Sequence, residues 1–306
     1  MGKIAFLFAG QGSQYPGMGK ALYEGSAAAK ALMDGFEALR PGTLRQCFAG
    51  GAEELTRTAN TQPCMFAAEL AAAAALEEKG VTAQGAAGFS LGEVAALTYA
   101  GAFASKEAGF EAVTLRGRLM QDAAQENPGG MAAVLKLSDE EVQRLCEECG
   151  VWPVNYNCDG QVAVAGKKET LPAFCEKAAQ AGGRAKILAV GGAFHSVLME
   201  KASQEFLKAL RGIEMRTPAI PVYANLTAQP YGADMPAVLA AQMANPVLWK
   251  QSVQNLRRDG FDTFIELGPG KTLSGLVKRI LPGARICAVE DMDSLAACAA
   301  ALAQEG

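Results

Sequence analysis

Gln84-Gly85-Ala86-Ala87-Gly88-Phe89-Ser90-Leu91-Gly92-Glu93-Val94-Ala95-Ala96-Leu97-Thr98-Tyr99 changes character on either side of one serine. Gln84 to Phe89 reads as a strand, and Leu91 to about Tyr99 as a helix. Gly88, Ser90 and Gly92 form a G-x-S-x-G between the two. Small neighbours let the chain turn sharply and expose the hydroxyl, while the N–H of Leu91 points toward any oxyanion formed there. The helix dipole adds positive potential at the same place. A turn whose glycines merely relieve crowding, with a serine that caps the helix, has the same spacing. The strand–turn–helix setting favours a nucleophile and sets the fold class as α/β.

The pattern extends outward in both directions. Upstream, a predicted strand at Lys3 to Phe8 enters the glycine-rich turn Ala9 to Gln14, and helical sequence starts near Met18. Pro63 to Glu78 has strong helix propensity and Gly80 supplies a stop. Downstream, a helix is predicted over Ser105 to Gln125, and Asn127-Pro128-Gly129-Gly130 marks a boundary. Beyond it the order is strand Met131 to Leu137, helix Ser138 to Cys149 with a Ser138/Glu141 capping box, strand Val151 to Tyr156, strand Gln161 to Ala165, helix Glu169 to Ala181 and strand Arg184 to Val190. That βαββαβ order is ferredoxin-like. After His195 the alternation resumes: a helix to about Leu210, strand Ile220 to Ala224, helices around Pro236 to Met243 and Val247 to Arg258, strand Thr263 to Leu267, helix Lys271 to Ile280 and strand Arg285 to Val289. The expectation is a large α/β-hydrolase-like domain with a parallel sheet, residues 1–128 and 193–306, interrupted by a small ferredoxin-like subdomain at 129–192.

Half of the 306 residues are apolar, a fifth are charged and the formal net charge is −4, which fits a globular protein and argues against disorder. No basic stretch supports nucleic-acid binding. The run Ile4 to Ala9 is too short for a signal-peptide core, and no stretch of about 18 uncharged apolar residues spans a bilayer, so a cytoplasmic protein without membrane contact is expected. Eight cysteines show no framework spacing and are read as reduced thiols. Cys146 and Cys149 lack the further ligands of a closed zinc site. The single histidine, His195, excludes two-histidine metal motifs, and any imidazole base must be this residue. Gly268-Pro269-Gly270-Lys271-Thr272 ends like a phosphate-binding loop, but the first glycine of that pattern falls at Ile265, inside a predicted strand. Gly10-Gln11-Gly12 starts like a dinucleotide fingerprint whose third glycine position is Tyr15.

His195 lies just past the Gly191-Gly192 boundary. A core histidine with satisfied hydrogen bonds is the bland reading; a general base for Ser90 is the functional one. No acid partner is obvious, and a backbone carbonyl would orient the ring equally well.

Taken together, Phe8 to Gln14, Gln62-Pro63, Gly88 to Glu93, Arg116-Gly117, Ala193 to Ser196, Asn245 to Trp249 and Glu266 to Gly270 resemble, in order and over nearly the whole chain, the bacterial malonyl-CoA:acyl carrier protein transacylases and the acyltransferase domains of fatty acid and polyketide synthases. The resemblance implies Ser90 as nucleophile, His195 as its base, and Gln11 and Leu91 as backbone donors of the oxyanion hole. It places Arg116 on the malonyl carboxylate, Gln62 and Phe194 in the pocket wall, and the backbone carbonyl of Gln242 on the histidine. By residue type alone Arg116 and Arg118 compete for the carboxylate, and the bland reading of either is a solvated helix face. Phe89 stands where the family commonly has histidine, and Ala9 where it has proline. Phe194 is similar to the residue of malonyl-selective members. The implied reaction moves malonyl from malonyl-CoA to acyl carrier protein in fatty acid biosynthesis, with no metal and no bound cofactor because a thioester is already activated. A polyketide pathway and a serine thioesterase or esterase are the rival readings.

Overall fold

The computed structural model describes residues 2–303; residue 1 and residues 304–306, the outermost ends of the expected large domain, lie outside the described residues. Nine strands are described: β1 (Lys3–Phe8), β2 (Gly85–Gly88), β3 (Gly129–Leu135), β4 (Trp152–Cys158), β5 (Gln161–Lys167), β6 (Arg184–Ile187), β7 (Val222–Tyr223), β8 (Phe261–Leu267) and β9 (Arg285–Val289). They form two sheets, a five-stranded one in the order β7-β2-β1-β8-β9 and a four-stranded one in the order β4-β5-β3-β6.

Every pairing in the larger sheet is parallel. Such sheets are covered on both faces, and from Ile4 to Phe8 β1 is buried throughout. β2 is Gly-Ala-Ala-Gly, a sequence with little strand propensity. It is a strand because β1 and β7 pair with it on either side, and at both of its glycines the neighbours leave no room for a side chain. A Cβ on Gly85 would lie 2.4 Å from the Phe261 ring, and one on Gly88 would lie 1.9 Å from the Gly92 carbonyl carbon.

Helices cover this sheet, and two of them differ from expectation. The predicted Pro63 start is corrected: the helix runs Thr58–Glu78 with Pro63 inside it. Proline lacks an N–H, and the first turn is anchored instead by Thr61, whose hydroxyl donates to the carbonyls of Leu55 at 2.5 Å and Arg57 at 3.0 Å. Met292–Ala303 is a helix that periodicity did not reveal; it buries Leu295, Cys298 and Leu302. The segment predicted as Ile220 to Ala224 forms a ladder only over the two residues of β7.

The smaller sheet is antiparallel, with β3 flanked by β5 and β6 and β4 on the outer side of β5. This is the ferredoxin-like order, and its helices Asp139–Cys149 and Leu171–Gln180 share a core with it that includes Val134, Leu145, Val164 and Phe174. The Ser138/Glu141 capping box is present. β3 begins at Gly129, inside the Asn-Pro-Gly-Gly signal, where its ladder with β5 starts opposite Lys167; a side chain there would collide with Ala193 Cβ at 2.7 Å. The two sheets are tied together at one corner. Val247 N donates to Val154 O at 2.8 Å, Tyr156 N donates to Val247 O at 3.0 Å, and Lys250 pairs with Asp139 and Asp159.

Gly92 tests how tightly β1 and the turn after β2 are pressed together. Its Cβ would fall 2.3 Å from Phe8 O and 2.5 Å from Ala9 O, whereas Gly35, within the helix Ala27–Leu39, has open space around its own. Gly92→Ala is expected to destabilise by about 3 kcal/mol or more, since backbone carbonyls cannot step aside. Gly35→Ala should stabilise by roughly 0.5–1 kcal/mol. Urea unfolding of both variants measures the contrast, and equal effects would contradict it.

Candidate active site

Ser90 leaves β2 with φ 56°, a left-handed backbone that a residue bearing Cβ adopts only when held there. Asn225 Oδ1 accepts from Ser90 N at 2.8 Å, and Asn225 Nδ2 donates to Gly88 O at 2.6 Å, so one carboxamide clamps the turn from both sides. The hydroxyl then projects from the N-terminal end of the helix Gly92–Tyr99.

His195 also has a left-handed backbone, φ 61°. Its turn is fixed by Ser196 Oγ donating to Ala193 O at 2.6 Å and by His195 N donating to Met243 O at 3.1 Å. These bonds aim the imidazole at Ser90, with Oγ 2.7 Å from Nε2. On the far side of the ring Nδ1 lies 2.8 Å from Gln242 O. A carbonyl only accepts, so Nδ1 carries the proton and Nε2 presents a lone pair to the serine. Burial, and secondarily the charge of Arg116, pushes the histidine down from 6.5 to about 4. The ring is a neutral acceptor at neutral pH.

The helix Lys106–Glu126 separates the two competing arginines. Arg118 is exposed, while Arg116 has no exposed surface. Arg116 Nη1 donates to Gln62 Oε1 at 2.9 Å, and Nη2 to Gln242 Oε1 at 2.6 Å and Ser90 Oγ at 3.3 Å; Nε has no partner. Burial pulls its pKa down to about 10, with Glu93 opposing the shift, so it stays a cation.

Gln11, Gln62, Leu91, Phe194 and His195 line one cavity of about 90 Å³ at Ser90. Arg116 and Gln242 are not part of its lining and sit behind it, Arg116 reaching Ser90 Oγ through Nη2 and Gln242 bonded to both Arg116 and His195. Among the described residues, neither the N–H of Gln11 nor that of Leu91 donates to an acceptor in the protein. A wider cavity of about 380 Å³ adjoins it between the two sheets, sharing Gln11, Phe89, Asn155, Leu188 and Val190. Phe89 turns edge-on to Trp249, with ring centroids 5.5 Å apart.

Sequence reasoning assigned no role to Glu93, Asn225 or Tyr231. Glu93 is buried in the first turn after Ser90, where it accepts from Asn225 N at 2.9 Å, Gln242 Nε2 at 3.0 Å and the Tyr231 hydroxyl. Burial pushes its carboxyl up from 4.5 to about 7. Its place in Gly88 to Glu93 was the available signal.

A profile of the family described as acyl transferase domain matches residues 5–295. The malonyl CoA-acyl carrier protein transacylase of Bacillus subtilis is 38% identical over 304 residues, covering 96% of each chain. The crystal structure of the Clostridium perfringens malonyl CoA-acyl carrier protein transacylase superposes with a TM-score of 0.95 at 34% identity, over 99% of this chain and 98% of that one. A malonyl-transacylase solved in complex with its type II PKS acyl-carrier protein superposes with a TM-score of 0.93 at 34% identity, over 98% and 99% of the two chains.

Because His195 is the single histidine, its C2 proton in untagged protein reports the site by NMR without an assignment problem. It is expected to show no titration between about pH 5.5 and 8, with a midpoint near about 4 that rises in Arg116→Ala as a repelling charge is lost. The unfolded chain binds this proton at a higher pH than the folded one. This group therefore removes stability as pH falls from about 6.5 to about 4. A wild-type midpoint near 6.5 would contradict the buried, neutral ring.

Proposed function

Since the chain belongs to the acyl transferase family and, within it, to the malonyl-CoA:acyl carrier protein transacylases, we propose that it carries malonyl from malonyl-CoA to the phosphopantetheine thiol of acyl carrier protein, through an ester on Ser90. The observation that carries this reading is a serine bonded to a neutral histidine beside a buried arginine that no carboxylate touches.

In the first half-reaction Ser90 Oγ attacks the thioester carbon and its proton passes to His195 Nε2. The N–H groups of Gln11 and Leu91 receive the oxyanion. The C–S bond breaks, and the coenzyme A thiolate takes the proton back from His195. In the second half-reaction the carrier thiol gives its proton to the same nitrogen and attacks the ester, and Ser90 regains a proton as it leaves. Gln242 O keeps the imidazole in the tautomer both steps need.

Arg116 takes the free carboxylate of malonyl, with Gln62 holding its other arm. Phe194 closes the pocket wall, and about 90 Å³ admits only a short acyl group. The wider cavity between the sheets suits the pantetheine arm. Fatty acid synthesis is the pathway we infer; the related complex with a type II PKS carrier protein supports polyketide synthesis as a second reading. Among the described residues no helix is long and apolar enough to cross a membrane, and we place the reaction in the cytoplasm.

Intact-mass measurement after exposure to malonyl-CoA tests the covalent step. Wild type should gain one malonyl group and Ser90→Ala none, and a malonyl gain in that variant would sink the assignment. Substrate choice tests the arginine. A guanidinium grips a carboxylate with two parallel donors, and its loss should cost about 1.5–3 kcal/mol, roughly 10- to 150-fold, in kcat/KM for malonyl-CoA. Acetyl-CoA has no carboxylate, so Arg116→Ala should spare or improve its use, while exposed Arg118→Ala changes little. An equal loss with both substrates in Arg116→Ala would overturn the assignment.

A further inference from the structure

A buried guanidinium is costly without a compensating charge, above all when the pocket holds a substrate without a carboxylate. No carboxylate lies within ion-pair distance of Arg116 among the described residues. The carboxylate whose field reaches it is Glu93, one amide away. Gln242 bridges the two, its Oε1 accepting from Arg116 Nη2 at 2.6 Å and its Nε2 donating to Glu93 Oε2 at 3.0 Å. The amide dipole is thereby aligned between cation and anion. The same Nε2 lies 2.8 Å from Ser90 O, and Asn225, held through its N–H by Glu93, accepts from Ser90 N.

We propose that Glu93 is a positioning residue for acyl transfer, which through Gln242 and Asn225 holds Ser90 in register and acts as the resident counter-charge of Arg116 without occupying its donors. A direct ion pair would neutralise Arg116 but close it to substrate. Separation by one amide leaves Nε unpartnered and Nη2 turned toward Ser90 Oγ. Burial at a helix N-terminus suits the anion. Tyr231 OH, donating to Oε1, occupies the second oxygen.

This proposal rests on the malonyl-transfer reading and predicts how substrate choice changes. With acetyl in the pocket Arg116 depends on Glu93 alone; with malonyl it has a second anion. Glu93→Gln keeps the shape and allows Tyr231 to accept instead of donate, so it removes the charge with little loss of scaffold. It should lower acetyl-CoA kcat/KM at least about fivefold more than malonyl-CoA kcat/KM at pH 8. Of the charged and titratable groups facing Glu93, Arg116 remains a cation, Tyr231 is pushed far up by burial, and His195 stays neutral through the range from pH 6 to 8. Glu93 ionises there, near about 7. The wild-type malonyl-to-acetyl ratio should therefore fall as pH rises across that window, and in Glu93→Gln it should be flat and high.

Glu93→Ala, which strands the Asn225 N–H and frees the Gln242 side chain, should lower kcat for both substrates by about tenfold or more, with a smaller change in KM. The experiment measures both substrates with wild type and the two variants at several pH values, alongside thermal melts. A merely structural glutamate would depress both substrates equally and leave the pH dependence of the ratio in place. That outcome in folded Glu93→Gln, or a ratio moved toward acetyl, overturns the proposal even if Glu93→Ala does not fold. Wild type that fails to transfer malonyl overturns the functional reading instead.

Discussion

A guanidinium with no exposed surface is the constraint around which this site is built. Arg116 has lost its hydration, and burying an uncompensated charge costs several kcal/mol. The protein meets that cost with carboxamide oxygens from Gln62 and Gln242, and with a carboxylate kept one residue further away. Gln242 is where these demands converge. Its side chain faces the arginine and its backbone carbonyl holds the histidine, so imidazole and guanidinium cannot shift independently.

The parallel sheet makes this convergence possible. β2 delivers Ser90, and β7, its neighbour on one side, ends just before Asn225, which returns to clamp the serine. Alanine and glycine in β2 and at Gly92 let the surrounding backbone close to within contact distance. The left-handed backbones of Ser90 and His195, each worth about 1–3 kcal/mol of strain, are then stable because hydrogen bonds from other segments surround them. The smaller sheet supplies the opposite wall through Met131 and Asn155.

Much of this was legible in the sequence, for local reasons. A serine between glycines, a strand before it and a helix after it form a pattern within a few residues. So does the Ser138/Glu141 cap. The βαββαβ order followed from periodicity alone. What stayed hidden depends on distance along the chain. Glu93 looks like any acidic residue in a first helical turn, and only the approach of Asn225, Tyr231 and Gln242, more than 130 positions later, makes it a buried hub. The helix Met292–Ala303 is so rich in alanine that its buried face has little contrast with the rest. Pro63 marked a helix start by propensity, yet side-chain bonds from Thr61 let the helix begin earlier.

The nested cavities carry a further consequence. A space of about 90 Å³ at the serine adjoins the wider one through shared walls at Gln11, Phe89, Asn155, Leu188 and Val190. If the donor thioester and the acceptor thiol both reach Ser90 by that corridor, they cannot occupy it together. Spent coenzyme then has to vacate before the carrier's arm arrives, and each becomes a competitor of the other for the same lane. Turnover in a crowded metabolite pool is set in that case by traffic, with the ratio of free thiol to thioester deciding the direction in which acyl groups flow.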